Sequence, residues 1–204
     1  MLTILNAQPR LTSANEKLSH VCKKSSQDWR AELLPLDVLQ DYRNYYKKFD
    51  KTYHVQLQLE SIVHKGKSLP NVSPLVDANF AAELETLILT AGHDADLLIA
   101  PLTIDATQGG EEFIQLNGVA IALKPNDMMM ADGKGVVCTI IYGQDQRTPI
   151  SPHTRRALYV AYAPAGIPAA KVQQQLDTIR AHVLLFAPAA TVEMVAIYAA
   201  KSEK

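Results

Sequence analysis

Cysteine is scarce in this chain. The two present, Cys22 and Cys138, lie far apart and outside any Cys-x-x-Cys pair. That excludes a disulfide framework and a zinc-type ligand spacing, and it points to a reduced, cytoplasmic setting with no metal and no other cofactor. Long apolar runs are missing too. None reaches the roughly 18 residues that a membrane span needs. The opening "MLTILNAQPR" lacks the apolar core of a secretory signal. Neither sign of charge is in excess: 20 basic residues stand against 21 acidic ones, and the pI is about 6.6. A chain dedicated to nucleic-acid phosphates usually carries a basic surplus. Any RNA contact must therefore come from local patches, and DNA binding is not expected. The common catalytic signatures are absent as well: Gly-x-Ser-x-Gly, the phosphate-binding P-loop, His-Glu-x-x-His and Gly-x-Gly-x-x-Gly.

What is present describes a folded domain. The chain has 204 residues, of which 48% are hydrophobic, enough to bury a sizeable core. Residues 37–50 open on an Asp that can cap a helix, and Val38, Tyr42, Tyr45 and Phe49 recur on one face. Residues 53–65 repeat the pattern with Val55, Leu59, Ile62 and Val63, and Gly66 supplies a stop. Ser73 and Pro74 form a cap followed by a first-turn proline. They predict a helix running from there to about Ala91, with Gly92 as its end.

After Asp96 the pattern changes to short apolar or alternating runs divided by turn residues. Asn117-Gly118 between apolar runs signals a hairpin, and "ADGKG" at 131–135 signals another turn. The three consecutive methionines at 128–130 read as strand core and edge, and Cys138 as a buried, inert thiol. A helix is expected from about Pro168 to Leu185, and a last strand over 191–199. Helices and strands are segregated, so the expected class is α+β.

Several stretches also fall in a specific order. They are "KGKSLPNVSPLVDAN" at 65–79, "GHD" at 92–94, "GGEEFIQLNG" at 109–118, "MMADGKGVVCTIIYG" at 129–143 and "QDQRTPISPHTRRALYV" at 144–160. Together they resemble the editing (tRNA-binding) domain of the phenylalanyl-tRNA synthetase beta subunit, in its free-standing form, over about residues 40 to 163. The resemblance implies a helix-flanked β-sandwich, with a helical lead-in at 1–66 belonging to the same domain as the editing unit at 67–204. It implies hydrolysis, without a metal, of the ester of a tRNA charged with a wrong and possibly aromatic amino acid, as a second sieve after imperfect binding discrimination. A synthetase acting in trans is an implied partner.

The same resemblance places Asp77, Asn79 and His93 around the site, with Asp77 structural at the helix start and Asn79 binding substrate. His93 and Asp94 are the expected catalytic pair, a neutral His being suited to position water or accept a proton near pH 7. Gly143, Gln144 and Asp145 occupy the turn where the family carries a Glu that accepts a phenol proton, and Gln or Asp retains that acceptor. Lys65, Lys67, Arg155 and Arg156 are the expected RNA-binding residues. Arg43, Lys47 and Lys51, spaced by four, share a helix face that is either solvated or tracks phosphates. From residue pattern alone, His93-Asp94 reads as a helix C-cap with a solvated polar turn, and Gln144-Asp145 as an ordinary exposed turn. Two further readings of the whole chain stay open: a non-catalytic RNA- or amino-acid-binding module, and a small-molecule hydrolase acting without tRNA.

Overall fold

The computed structural model describes residues 2–5, 37–65 and 72–199. Cys22, Gly66 and Lys67 lie outside them. Three helices lead in: α1 (Asp37–Lys47), α2 (His54–Lys65) and α3 (Pro74–Thr86). The strands β2 (Thr90–Asp94), β3 (Thr103–Ala106), β4 (Glu112–Ile114), β5 (Ala120–Ala122), β6 (Met128–Asp132), β7 (Gly135–Thr139), β8 (Gly143–Gln144) and β9 (Arg156–Ala161) follow. Helix α4 (Ala169–Phe186) and strand β10 (Thr191–Val195) come last. Residues 2–5 are not part of a helical lead-in. They form a strand, β1 (Leu2–Leu5), inserted between β9 and β10.

All pairings are antiparallel. One four-stranded sheet has the order β10-β1-β9-β2, a second has β3-β6-β7-β8, and β4-β5 is a separate hairpin. The hairpin turns at Asn117-Gly118, as expected, with Gly118 at φ 82°. This is an α+β fold. Strand β9 links its two cores through its period of two. Leu158 and Val160 join the cluster under α1 and α2, while Ala157 and Tyr159 join the cluster between α3 and α4.

Four tyrosines tie the leading helices to the sheets. The rings of Tyr42 and Tyr53 stack with centroids 4.2 Å apart. The Tyr42 hydroxyl donates to the Tyr162 carbonyl and accepts from the Leu89 N–H, while the Tyr46 and Tyr53 hydroxyls donate to the carbonyls of Ile140 and Leu87. The Tyr45 hydroxyl donates to Asp127. Each of these hydroxyls would otherwise be buried without a partner, at a cost of about 1–3 kcal/mol.

Helix α3 starts as expected. Ser73 Oγ accepts from the Val76 N–H, and Pro74 sits in the first turn. It ends earlier than Gly92. Leu87 takes a left-handed conformation with φ 62°, and its N–H returns to the Glu83 carbonyl. Residues 90–94 are therefore strand, not helix, and "GHD" lies on the last three residues of β2. Gly92 is a strand residue. A Cβ there would sit 2.8 Å from Ile150 Cδ1 and 3.0 Å from the Tyr159 ring.

Among the described residues no helix is long and apolar enough to cross a membrane.

Candidate functional site

A cavity of about 470 Å³ opens between α2, α3, β2 and the β7–β8 edge. Sites for small ligands span about 300–1,000 Å³. Its polar lining comes from His54 and Gln58 on α2, Asn79 and Glu83 on α3, Thr90 on β2, Thr139 on β7 and Gln144 on β8, and its apolar lining includes Val76, Leu89 and Ile150.

Asn79 and Glu83 are one helical turn apart, so both face this side of α3. They clamp Thr90 from two directions. Asn79 Nδ2 donates to the Thr90 carbonyl at 2.9 Å, and the Thr90 N–H donates to Glu83 Oε1 at 2.7 Å. The carbonyl can only accept, which fixes the Asn79 amide and leaves its buried Oδ1 without a partner. Burial pushes the Glu83 carboxyl up to about 8, against the lowering effect of the Thr90 N–H. Glu83 is therefore mostly protonated at neutral pH.

Gly143 and Gln144 line the opposite wall. Gly143 is needed because its φ of 76° is left-handed. Gln144 Nε2 donates to the Thr148 carbonyl at 2.9 Å and lies 3.1 Å from His93 Nδ1.

His93 itself is fully buried behind Gln144, with Thr148 Oγ1 at 2.8 Å, and does not line the cavity. Burial pulls its pKa down to about 4, with the Asp132 charge pulling the other way. It is neutral at pH 7 and orients Gln144 without reaching a substrate.

Asp94 departs from the expected catalytic role. Its Oδ1 accepts from the Asp96 N–H, and its Oδ2 accepts from Thr154 Oγ1 at 2.6 Å, so both oxygens hold the chain at the end of β2. Asp145 likewise does not line the cavity. Its Oδ1 accepts from the N–H groups of Arg147 and Thr148, and its Oδ2 pairs with Arg147 Nε at 2.6 Å. The Arg147 guanidinium also forks onto Asp132. For Asp132, burial raises the pKa, but the hydrogen bonds from Arg147, the Lys134 N–H and the Ile99 N–H outweigh it and hold it low. This cluster holds the 145–148 turn, and through it Gln144. Asp77 has the structural place expected for it: buried in the first turn of α3, it accepts from the Val72 N–H.

The expected basic set is only partly placed. The side chain of Lys65 and all of Lys67 are outside the description. Arg155 is exposed and donates to the carbonyls of Pro152 and Thr154. Arg156 is not a free cation: its guanidinium forks onto Glu193 and also reaches Asp96. A different basic surface is assembled instead. Arg43, Lys47 and Lys51 line an open depression of about 470 Å³ between α1 and the start of α2, together with Asn44 and Gln56. Among the described residues none of the three cations has an ion-pair partner.

Several polar cavity residues escape a reading of the sequence, among them His54, Gln58, Glu83, Thr90 and Thr139. For Glu83 a signal exists, since it lies four residues after Asn79. Cys138 is buried, with its thiol pushed by burial up to about 12, as its place in an apolar strand predicts. Among the described residues no group of three or more His, Cys, Asp or Glu side chains is placed to hold a metal ion.

The cavity and its supports fall inside a known family's span. The family model of the B3/4 domain matches residues 41–183. An N-terminal fragment of the phenylalanyl-tRNA synthetase beta subunit from Pyrococcus horikoshii shares the fold, with a TM-score of 0.50 at 14% identity over 58% of this chain. The match spans 41% of that fragment, so this chain corresponds to less than half of it. No curated protein matches the chain in sequence. With well over half of its residues inside the family model, the chain belongs to the B3/4 domain family.

Proposed function

We propose that this protein is a tRNA-linked editing module. Its cavity receives the aminoacyl end of a tRNA carrying a wrong amino acid, and the ester between that amino acid and the terminal ribose is hydrolysed. The observation that carries this reading is the cavity itself: amino-acid-sized, with Asn79 on one wall and Gln144 on the other. In the reaction, water adds to the ester carbonyl, the bond to the ribose oxygen breaks, and free amino acid and tRNA leave. His93 is not the base on this reading, since it is fully buried and does not line the cavity. The Gln144 amide and the neighbouring ribose hydroxyl are the groups that position the water, and Asn79 holds the wall against which the acyl group lies. Gln144 Oε1 is left to accept a side-chain hydroxyl, which suits an aromatic substrate such as tyrosine. The Arg43-Lys47-Lys51 depression supplies phosphate contacts, and Arg155 adds to them. A cytoplasmic synthetase is the natural partner in trans.

A second reading is favoured by one observation. Both residues expected to do catalysis, His93 and Asp94, are committed to structural bonds. On that reading the cavity binds without turnover. Deacylation of tRNAs mischarged with a panel of amino acids separates the two. The editing reading expects turnover of at least one species by the wild type, and loss of it in Asn79→Ala and Gln144→Ala. No turnover of any species, with tRNA still bound, leaves the binding module.

A further inference from the structure

Glu83 is the buried group whose presence the fold does not require. Its one hydrogen bond, from the Thr90 N–H to Oε1, needs only an acceptor. A glutamine accepts the same N–H without the cost of placing an ionisable carboxyl in the interior. Yet a carboxyl stands there, 5% exposed and on the cavity wall. Its Oε2 makes no hydrogen bond among the described residues, and no described Lys or Arg offers it a counter-charge. Asn79 Oδ1, on the same helix face, is a second acceptor left open. Once the Glu83 carboxyl is ionised, this wall presents two acceptors, Glu83 and Asn79 Oδ1, that the protein leaves open.

We infer that Glu83, with Asn79 Oδ1, is the binding site for a ligand's ammonium group, the α-amino group of an amino acid held in the cavity. The inference rests on the reading of the cavity as an aminoacyl site and names what that site recognises. The complementarity is direct. An ammonium has three donors and no acceptor, and this wall presents a carboxyl and an amide oxygen. A cation brought beside Glu83 favours its ionised form, so binding drives a proton off the carboxyl.

The described titratable groups facing Glu83 do not compete for that role. They are His54 on α2, held near 4 by burial, the Cys138 thiol on β7, raised to about 12, and the hydroxyls of Tyr42, Tyr46 and Tyr53, all raised by burial. All are neutral at pH 7. Among the described residues Glu83 is the group at this wall that titrates between pH 6 and 9.

The test uses the amides of alanine, leucine, phenylalanine and tyrosine, which mimic the acyl group but resist hydrolysis, together with their N-acetyl counterparts. Binding is measured by calorimetry at pH 7 in buffers of different ionisation heat. The expected result is that at least one amide binds and its N-acetyl form binds about tenfold weaker or worse, as loss of a charge-assisted hydrogen bond dictates. Binding to the wild type releases up to about one proton. In Glu83→Gln the amide's affinity falls by a similar factor and the proton release disappears. The comparison of amide with N-acetyl amide on the wild type needs no variant to fold. N-acetyl amides binding as tightly as free amides overturn the ammonium site while leaving the cavity an aminoacyl site. So does Glu83→Gln binding the amide like wild type. Binding by none of the amides overturns both.

Discussion

Replacing Glu83 by Gln tests the electrostatics of the cavity through stability alone. The perturbation keeps the side chain's shape and its acceptor for the Thr90 N–H, and removes only the ionisable proton. In the native state the carboxyl titrates at about 8, and in the unfolded chain near 4.3. Between these values the native state holds a proton that the unfolded state has lost. Stability therefore falls as pH rises through this window, by about 1.4 kcal/mol per unit. His54 and His93 act in the opposite sense. Their native values near 4 lie below the unfolded 6.5, so they add stability as pH rises from 4 to 6.5 and nothing further above it. The Glu83 effect is thus isolated between pH 6.5 and 8, where it amounts to about 2 kcal/mol. Urea denaturation at half-unit steps measures it. The wild type should lose about that much from pH 6.5 to 8, while Glu83→Gln stays nearly flat. Parallel curves for the two proteins refute the assignment of Glu83 as a buried, protonated carboxyl.

Two further outcomes follow from the geometry. Arg147→Ala removes the counter-charge from Asp132 and Asp145, whose side chains are 0% and 4% exposed. It should cost about 3 kcal/mol at pH 7 in urea denaturation, and the difference should shrink only as pH falls below the unfolded aspartate value of about 3.9 toward the lower native value of Asp132. Charge reversal in the α1 depression, Arg43→Glu with Lys47→Glu, should weaken tRNA binding in a filter assay and flatten its dependence on salt by about one unit of log–log slope for each phosphate no longer neutralised. An unchanged slope removes this surface from the RNA interface.

The sequence carried the fold where local chemistry and tertiary packing agree. Ser73-Pro74 and Asn117-Gly118 each dictate a local backbone geometry, and both fall where expected. The end of α3 was not legible. Leu87 is a poor left-handed residue on its own, at a cost of about 1 kcal/mol, and its burial at 5% exposure, its N–H on the Glu83 carbonyl and the Tyr53 hydroxyl on its own carbonyl hold it there. The following apolar residues Ile88 and Leu89 have no period that separates helix from buried strand. Gly92 looked like a helix stop but is small for another reason, the closeness of Ile150 and Tyr159.

The site was legible in region more than in role. Asn79, Gly143 and Gln144 reach the cavity, whereas His93, Asp94 and Asp145 stand behind it. Along β2 both His93 and Asp94 are buried. A residue pattern names which types are near a site, but not which side of a strand holds the ligand. The pairing of Arg156 with Glu193 depends on β1 bringing β9 and β10 together, a juxtaposition no local pattern reports.

That insertion of β1 has a consequence for biosynthesis. Residues 2–5 pair with 156–159 and with 191–195, so β1 is made long before either of its partner strands. Until they emerge from the ribosome, both edges of β1 stay open. Contacts this distant in sequence slow folding and leave an unpaired strand edge available to other nascent chains. The exposed interval lasts from the synthesis of β1 to that of β9 and β10, which makes the edges of β1 the place where chaperone protection matters most.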